Sequence, residues 1–458
     1  MRMMPALLLT CFLASIAYAE EPLRVGVFEV DASPPIGSPL AYDPTKEIQT
    51  PLSCRGIVLL GAEKPIVVCA VDWLGIANES HQAFRQALAK AAETTPDRVV
   101  VHTLHQHDAP WADATTDALA AKHGITYRPF DTPFVRDVIA RAAASIAKAK
   151  REALAVTHIG LSSAIVEKVA SNRRILGADG RVSHVRWSAS KDAAVRDMPE
   201  GLIDPQLKMV ALLNRDRPIV VLTYYATHPQ SYYRTGKANP DFPGLARNDM
   251  QSATGIPHIH FNGAAGNITA GKYNDGSPEN RKVLADRLVD AMESATRSRK
   301  VSPLSAKEVE WRSVAVALPP APHFDREKML ANMGDKEKPM LQRFTTANNL
   351  AFLNRCEAKD TIDLTCLKLG TAHLLHMPGE LFVEYQLEAQ ELLPDDFVCL
   401  AAYGDYGTAY IGTAISYSQG GYETGPTASH VAPEAEGVLM RGIAELLELD
   451  IKRLRPLR

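Results

Sequence analysis

Four separated stretches of this chain have one form, a short apolar run that stops in a polar loop punctuated by Gly or Pro. The first is Val99–Val101, followed by His102, His105, His107, Asp108 and Pro110. The second is Tyr224-Tyr-Ala-Thr-His228-Pro229. The third, Thr371–Met377, ends in His376-Met-Pro-Gly-Glu380, and the fourth, Phe397–Tyr403, opens Ala401–Tyr422, which carries Tyr403, Tyr406, Tyr410, Tyr417 and Tyr422 among glycines. Short apolar runs bounded by breakers read as buried strands. A chain with several of them must bury sheets and present their ends as loops, where ligands gather on a rigid scaffold.

Other segments supply further strands and their covers. Leu23–Val30 alternates as a strand until Asp31-Ala-Ser-Pro-Pro breaks it. Cys54–Leu60 and Pro65–Val71 form a hairpin about Gly61-Ala-Glu-Lys, and Lys208–Leu213 and Ile219–Tyr225 form another about Asn214-Arg-Asp-Arg. Leu154–Leu161, His258–Phe261 and Glu308–Leu318 read as strands. Asn78 caps a helix through about Ala92. Thr132-Pro133 opens one whose buried stripe is Val135, Val138, Ile139, Ala142 and Ile146. Ser277-Pro278 and Pro433 open two more. Recurrent hairpins without a strict strand–helix rhythm predict an α/β fold of mixed β-sheets with hairpins, flanked by helices, with an active site at strand ends. No internal repeat is visible. Pro319–Pro339 reads as an exposed or loosely helical insert, and Ser302–Lys338 as the one plausible internal break.

The 458 residues carry a formal charge of −3, which gives no reason to expect nucleic acid as a partner. Residues 1–19 have the form of a secretory signal: Arg2, an apolar stretch and Ala17-Tyr18-Ala19. The expectation is a secreted or periplasmic protein with one domain over 20–458. Beyond Cys11 the cysteines are Cys54, Cys69, Cys356, Cys366 and Cys399, with no CxxC pair. Cys356 and Cys366 flank the polar segment EAKDTIDLT and could pair after export. The other three sit in apolar runs as buried thiols.

If the backbone after Val101 stays extended, His105 and His107 share a face, and two imidazoles facing one way can hold a metal, usually zinc. A histidine-rich surface loop would have the same spelling. His228 at a strand end serves hydrogen bonding as readily as ligation. Glu380 after Pro-Gly could be a helix N-terminal charge. In Asn262–Gly271, NGAAGNITAG, the glycines let backbone approach a ligand, and Thr269 offers a nucleophilic or substrate-binding hydroxyl, unless the stretch is a plain turn. Gly271-Lys272-Tyr273 fails the phosphate-loop pattern, and no G-x-S-x-G elbow occurs.

Taken in order from about Val25 to Ile443, these motifs resemble the neutral/alkaline ceramidase family of secreted zinc hydrolases. Arg24–Asp31, Arg55 and Asp72 correspond to its opening strands, His105-Gln-His107-Asp-Ala-Pro to its His-Thr-His-Ser-Gly-Pro signature, and Tyr410-Ile-Gly-Thr to Tyr-Ile-Thr-Thr. The resemblance implies that His105, His228, Glu380 and Tyr410 hold Zn²⁺. It makes His107 a neighbour facing substrate and proton carrier, and it makes Arg173 and Tyr422 candidates to stabilise an oxyanion. Thr269 stands where the family has its active-site serine, Asn267 replaces an acid, Asp108 replaces a serine, and Arg174 replaces the serine after Arg173. The family's C-terminal immunoglobulin-like domain is not expected in this chain. The implied activity is hydrolysis of an amide (N-acyl) bond in a small-molecule or lipid-like substrate by metal-activated water, and peripheral contact with a membrane is compatible with it. The alternatives are a secreted, non-catalytic metal- or ligand-binding protein, and a zinc hydrolase acting on a non-ceramide amide or ester.

Overall fold

Each hairpin above grows into a sheet by the same route, and that route positions the site. The computed structural model describes residues 22–457, so the leader read at residues 1–19 lies outside the described residues. The first sheet contains β1 (Arg24–Asp31), β2 (Ser53–Leu60), β3 (Ile66–Val71) and β4 (Val99–Thr103), with β5 (Leu154–Ala155) on its outer edge beside β1. The second contains β6 (His158–Ile165), β7 (Gln206–Asn214), β8 (Arg217–Tyr225) and β9 (His258–Asn262), with β10 (Lys300–Pro303) beside β6. The third is β11 (Val309–Val316), β12 (Ile362–Leu369), β13 (Ala372–His376) and β14 (Phe397–Ala401).

In each of these three sheets the first three strands run antiparallel in chain order, and a fourth joins parallel to the third. A parallel neighbour needs a crossover. The crossovers are helices: α1 (Asn78–Ala92) before β4, α3 (Asp241–Thr254) before β9 and α7 (Val383–Leu392) before β14. The remaining principal helices are α2 (Thr132–Arg151), α4 (Pro278–Ser298), α5 (Arg326–Gly334), α6 (Met340–Ala358) and α8 (Ala435–Leu446). The architecture is thus one topology used three times, although the sequence shows no repeat.

Alternation explains how the sheets pack. In β2, Ile57 and Leu59 face a core shared with β7, β8, β9 and the third sheet, while Val58 and Leu60 face α1 and α2. Both faces are buried, so β2 and β3 read as continuous apolar runs. Gly26 lets α2 approach β1, since a Cβ there would collide with the Ala149 carbonyl. Because the third and fourth strands of each sheet are parallel, their C-terminal ends lie side by side. The ends of these strands and the segments that leave them carry Asp72 and His105 in the first sheet, His228 and Asn262 in the second, and Glu380 and Tyr403 in the third.

Three expectations change. Leu154–Leu161 is not one strand: Leu154–Ala155 pairs with β1, and after Val156-Thr157 the chain enters the second sheet as β6. Cys356 and Cys366 do not pair; both are free thiols. The segment between them is no loop, because α6 runs to Ala358 and stops at left-handed Lys359, and β12 begins at Ile362 and carries Cys366 into the core. Within Pro319–Pro339, α5 buries Met329 and Met333, and Pro320 bridges to Val431.

Candidate metal centre

At the end of β4 the chain leaves the ladder with its amides still satisfied: Leu104 N donates to Val71 O and His105 N to Trp73 O, both at 2.8 Å. His105 sits at φ +68°, in the left-handed region that costs a non-glycine residue about 1 kcal/mol or more. The backbone is therefore not extended here. The rings of His105 and His107 stand nearly perpendicular, 81° apart with centroids 5.3 Å apart, instead of side by side.

His105 Nδ1 lies 2.7 Å from the Leu74 carbonyl, so Nδ1 carries the proton and Nε2 keeps its lone pair. That Nε2 is buried and has no hydrogen-bond partner. It faces Oε2 of Glu380 at 3.2 Å, and His228 Nδ1 lies 3.7 Å from the same oxygen. Neither Glu380 Oε2 nor His228 Nδ1 has a hydrogen-bond partner. Glu380 is fixed through its other oxygen, which accepts from the Tyr406 hydroxyl at 2.8 Å. Burial pushes the Glu380 carboxyl up, but His105, Tyr406 and Arg173 outweigh it and hold the group below its ordinary range, ionised. Three lone-pair-bearing atoms thus face one another in a buried place. A cation at their centre, or a donated proton, would satisfy them. Two nitrogens and one carboxylate oxygen are a zinc donor set, and the 3.2 Å spacing is close to the roughly 3.3 Å between tetrahedral ligands of one zinc. The residues present fit the ion.

His105, His107 and His228 each offer a nitrogen within 4.8 Å of the others, so geometry alone gathers three histidines that could hold a metal. Both nitrogens of His107 are already engaged, however: Nε2 lies 2.9 Å from His228 Nε2, and Nδ1 lies 3.1 Å from the Tyr42 hydroxyl. In the tautomer that keeps the His228 Nδ1 lone pair for the open centre, its Nε2–H donates to His107 Nε2, and His107 Nδ1–H donates to Tyr42. This tautomer chain leaves Glu380, rather than His107, to complete the open donor set. Burial, then the neighbouring His105, depresses the pKa of both His107 and His228, which keeps them neutral.

Tyr410 is the direct register partner of Glu380 in a two-residue parallel ladder, Glu380–Leu381 against Tyr410–Ile411. Its hydroxyl accepts from Arg173 Nη1 at 3.3 Å. Burial drives the Tyr410 phenol up from its ordinary value. Arg173 is buried, with Nε 3.5 Å from Glu423 Oε1. Glu423, wholly buried, is braced from its other oxygen by Arg174 at 2.9 Å. Tyr422 stands at the mouth, 42% exposed, its ring 5.7 Å from Tyr410 and 5.3 Å from Trp187.

Thr269 spends its hydroxyl on neighbouring backbone groups. It is fully buried, and its hydroxyl donates to the Arg186 carbonyl and accepts from the Gly271 amide, each at 3.2 Å. Sequence reasoning missed Tyr42, in a proline-rich loop without periodicity, and matched Glu423 only as part of the family's Tyr-Glu pair with Tyr422, without a role. Gly379 has a sharper reason than loop chemistry: at φ +58° a Cβ would strike Thr408 and the Ala409 carbonyl, so Pro-Gly-Glu admits only glycine.

Glu380 lies in the wall of a cavity of about 430 Å³ lined by Tyr42, Trp111, Tyr127, Phe344, Tyr406, Tyr410 and Tyr422, with Asn348, Asn349 and Arg234 among its polar groups.

No family model and no curated relative matches the chain. Among solved structures it is similar to neutral ceramidase from Pseudomonas aeruginosa, with a TM-score of 0.64 at 15% identity over 95% of this chain and 76% of that one. A ceramidase complexed with C2 gives a TM-score of 0.65 at 15% identity, covering 95% and 77%. The chain has the fold of these ceramidases.

Proposed function

We propose that the protein is an exported zinc hydrolase, a divergent relative of the neutral ceramidases, that cleaves the amide bond of an N-acyl compound. The observation that carries this reading is the convergence of His105 Nε2, His228 Nδ1 and Glu380 Oε2, buried and unpartnered, beside an aromatic cavity in that fold. Zn²⁺ held by these atoms, with Tyr410 as the fourth donor, would supply Lewis acidity to water and to the substrate carbonyl.

The chain's own groups supply the rest. Glu380 stays anionic because Tyr406 and Arg173 hold it so. His107, neutral and with its tautomer fixed by Tyr42, would exchange its Nε2 hydrogen bond from His228 for one from water, take the water's proton there and return it to the leaving amine. Arg173, kept cationic by Tyr410 and Glu423 against the cost of burial, donates to charge developing on the carbonyl oxygen, with Tyr422 on the open side. Thr269 serves the fold here. The aromatic cavity suits an apolar acyl arm, and the signal-like residues 1–19 support export. Contact with a membrane surface would then be peripheral, and among the described residues no helix is long and apolar enough to cross one.

The test is fatty-acid release from ceramide, N-acylethanolamines and N-acyl amino acids by the zinc-loaded protein. Turnover of at least one class, abolished by a chelator and restored by zinc, is expected. A zinc-loaded protein that cleaves no amide in the panel overturns the reading.

A further inference from the structure

Arg234 lies in the loop that follows His228, and it lines the same cavity as Glu380. It is exposed, and among the described residues it makes no hydrogen bond or ion pair. Its guanidinium instead sits 4.9 Å from the Tyr42 ring centre and 5.6 Å from that of Tyr233. Those two rings touch each other at 5.1 Å, and both touch His107, at 5.8 and 5.3 Å. A layer of aromatic rings therefore joins the free cation to the centre. Arg234 also holds φ +64°, a left-handed conformation that a non-glycine residue keeps only when its surroundings impose it. Glu380, the other formal charge lining the cavity, is turned to the metal centre, so no carboxylate in the wall competes for the guanidinium.

A cation held on aromatic faces at the mouth of a largely apolar cavity, with its N–H donors unspent, is a receptor for an anion. We propose that Arg234 selects substrates whose amine arm ends in an anionic group, a carboxylate or sulfonate, several bonds from the scissile amide. This inference rests on reading the site as an N-acyl amide hydrolase and names the substrate class it prefers.

The experiment compares N-dodecanoyl-glycine, N-dodecanoyl-4-aminobutyrate and N-dodecanoyl-6-aminohexanoate, each with its uncharged carboxamide twin, at one fixed moderate ionic strength. The enzymes are the zinc-loaded wild type, Arg234→Gln and Arg234→Lys. In at least one tether length the wild type is expected to favour the carboxylate in kcat/KM by roughly tenfold or more, the worth of a charge-assisted hydrogen bond. Arg234→Gln should bring that ratio to within about twofold of unity, and Arg234→Lys should keep part of it. Dissociation constants of the same pairs, measured by calorimetry, should show the same discrimination. That arm tests anion selection even if no amide is cleaved, so its outcome is separate from the fate of the hydrolase reading. No carboxylate preference at any tether in the wild type, or a preference that survives Arg234→Gln, overturns the proposal.

Discussion

His105 Nε2 and Glu380 Oε2 lie 3.2 Å apart, both buried and neither hydrogen-bonded. They come from different sheets, His105 from the loop after the fourth strand of the first and Glu380 from the segment after the third strand of the third. His228 follows the third strand of the second. The centre therefore exists only where the three sheets pack together, and whatever loosens that packing loosens the site.

The bracing of the first sheet should show this. Asp72 follows β3, is fully buried, and forms a bidentate pair with Arg247 of α3 at 2.6 and 2.9 Å. Burial raises its pKa, but Arg247, Arg55 and Ser53 outweigh this and keep it ionised. Asp72→Ala leaves a buried guanidinium uncompensated and should cost about 3–5 kcal/mol in urea unfolding. An Asp72→Ala loss below about 1 kcal/mol would contradict a bracing role.

His107 should matter for turnover and not for metal. With both nitrogens engaged by His228 and Tyr42, it stands outside the open donor set. His107→Ala should lower kcat about 10²–10⁴-fold, the usual worth of a positioned acid–base group, with zinc content unchanged by metal analysis. Loss of the metal in that variant would place His107 among the ligands.

Arg173 should separate charge from shape. Arg173→Ala should reduce kcat by about 10²–10³, as for loss of an oxyanion donor, and Arg173→Lys should recover part of it. Because Glu423 would keep only Arg174, the alanine variant should also lose Tm, measured by calorimetry.

Acid should unfold the protein early. Burial holds His81, His102, His258 and His430 at about 4 and His260 at about 3, against an ordinary 6.5. As pH falls below about 6.5, the unfolded chain binds these protons first. The contribution is thus complete above that value and drains toward pH 4, at about 1.4 kcal/mol per pH unit for each histidine. The urea midpoint should fall steeply between pH 6.5 and 4.5, whereas a flat profile would mean that these imidazoles are solvated.

The sequence carried the strand ends well, because an apolar run that stops in His, Pro or Gly is a local signal. Both hairpins and the starts of α1 and α2 were legible for the same reason, but not their caps: α1 begins at Asn78 after Ala77 without a side-chain cap, and α2 is capped by Asp131, one residue before Thr132. The threefold topology was not, since strand order leaves no trace in residue identity. Two of the three crossovers escaped: α3 has Pro243 in its first turn, and α7 starts directly after the Glu380 segment. The pairing of Cys356 with Cys366 failed because a polar stretch was read as one loop when it is the end of a helix and the start of a strand. His105, His228 and Glu380 were found by motif, and the structure brings them together. Thr269 occupies the motif position of a catalytic serine but spends its hydroxyl on Arg186 and Gly271. Tyr42 and Arg234 lie in loops with no periodicity, where only tertiary contact gives them meaning.

The most direct measurement is the metal content of the purified protein and of Glu380→Gln and His105→Ala, with hydrolysis of an N-acyl substrate followed in parallel. The account predicts one zinc per chain in the wild type, and loss of both zinc and turnover in the two variants. Full zinc occupancy in both variants, or wild-type hydrolysis that continues after the metal is stripped, would contradict it.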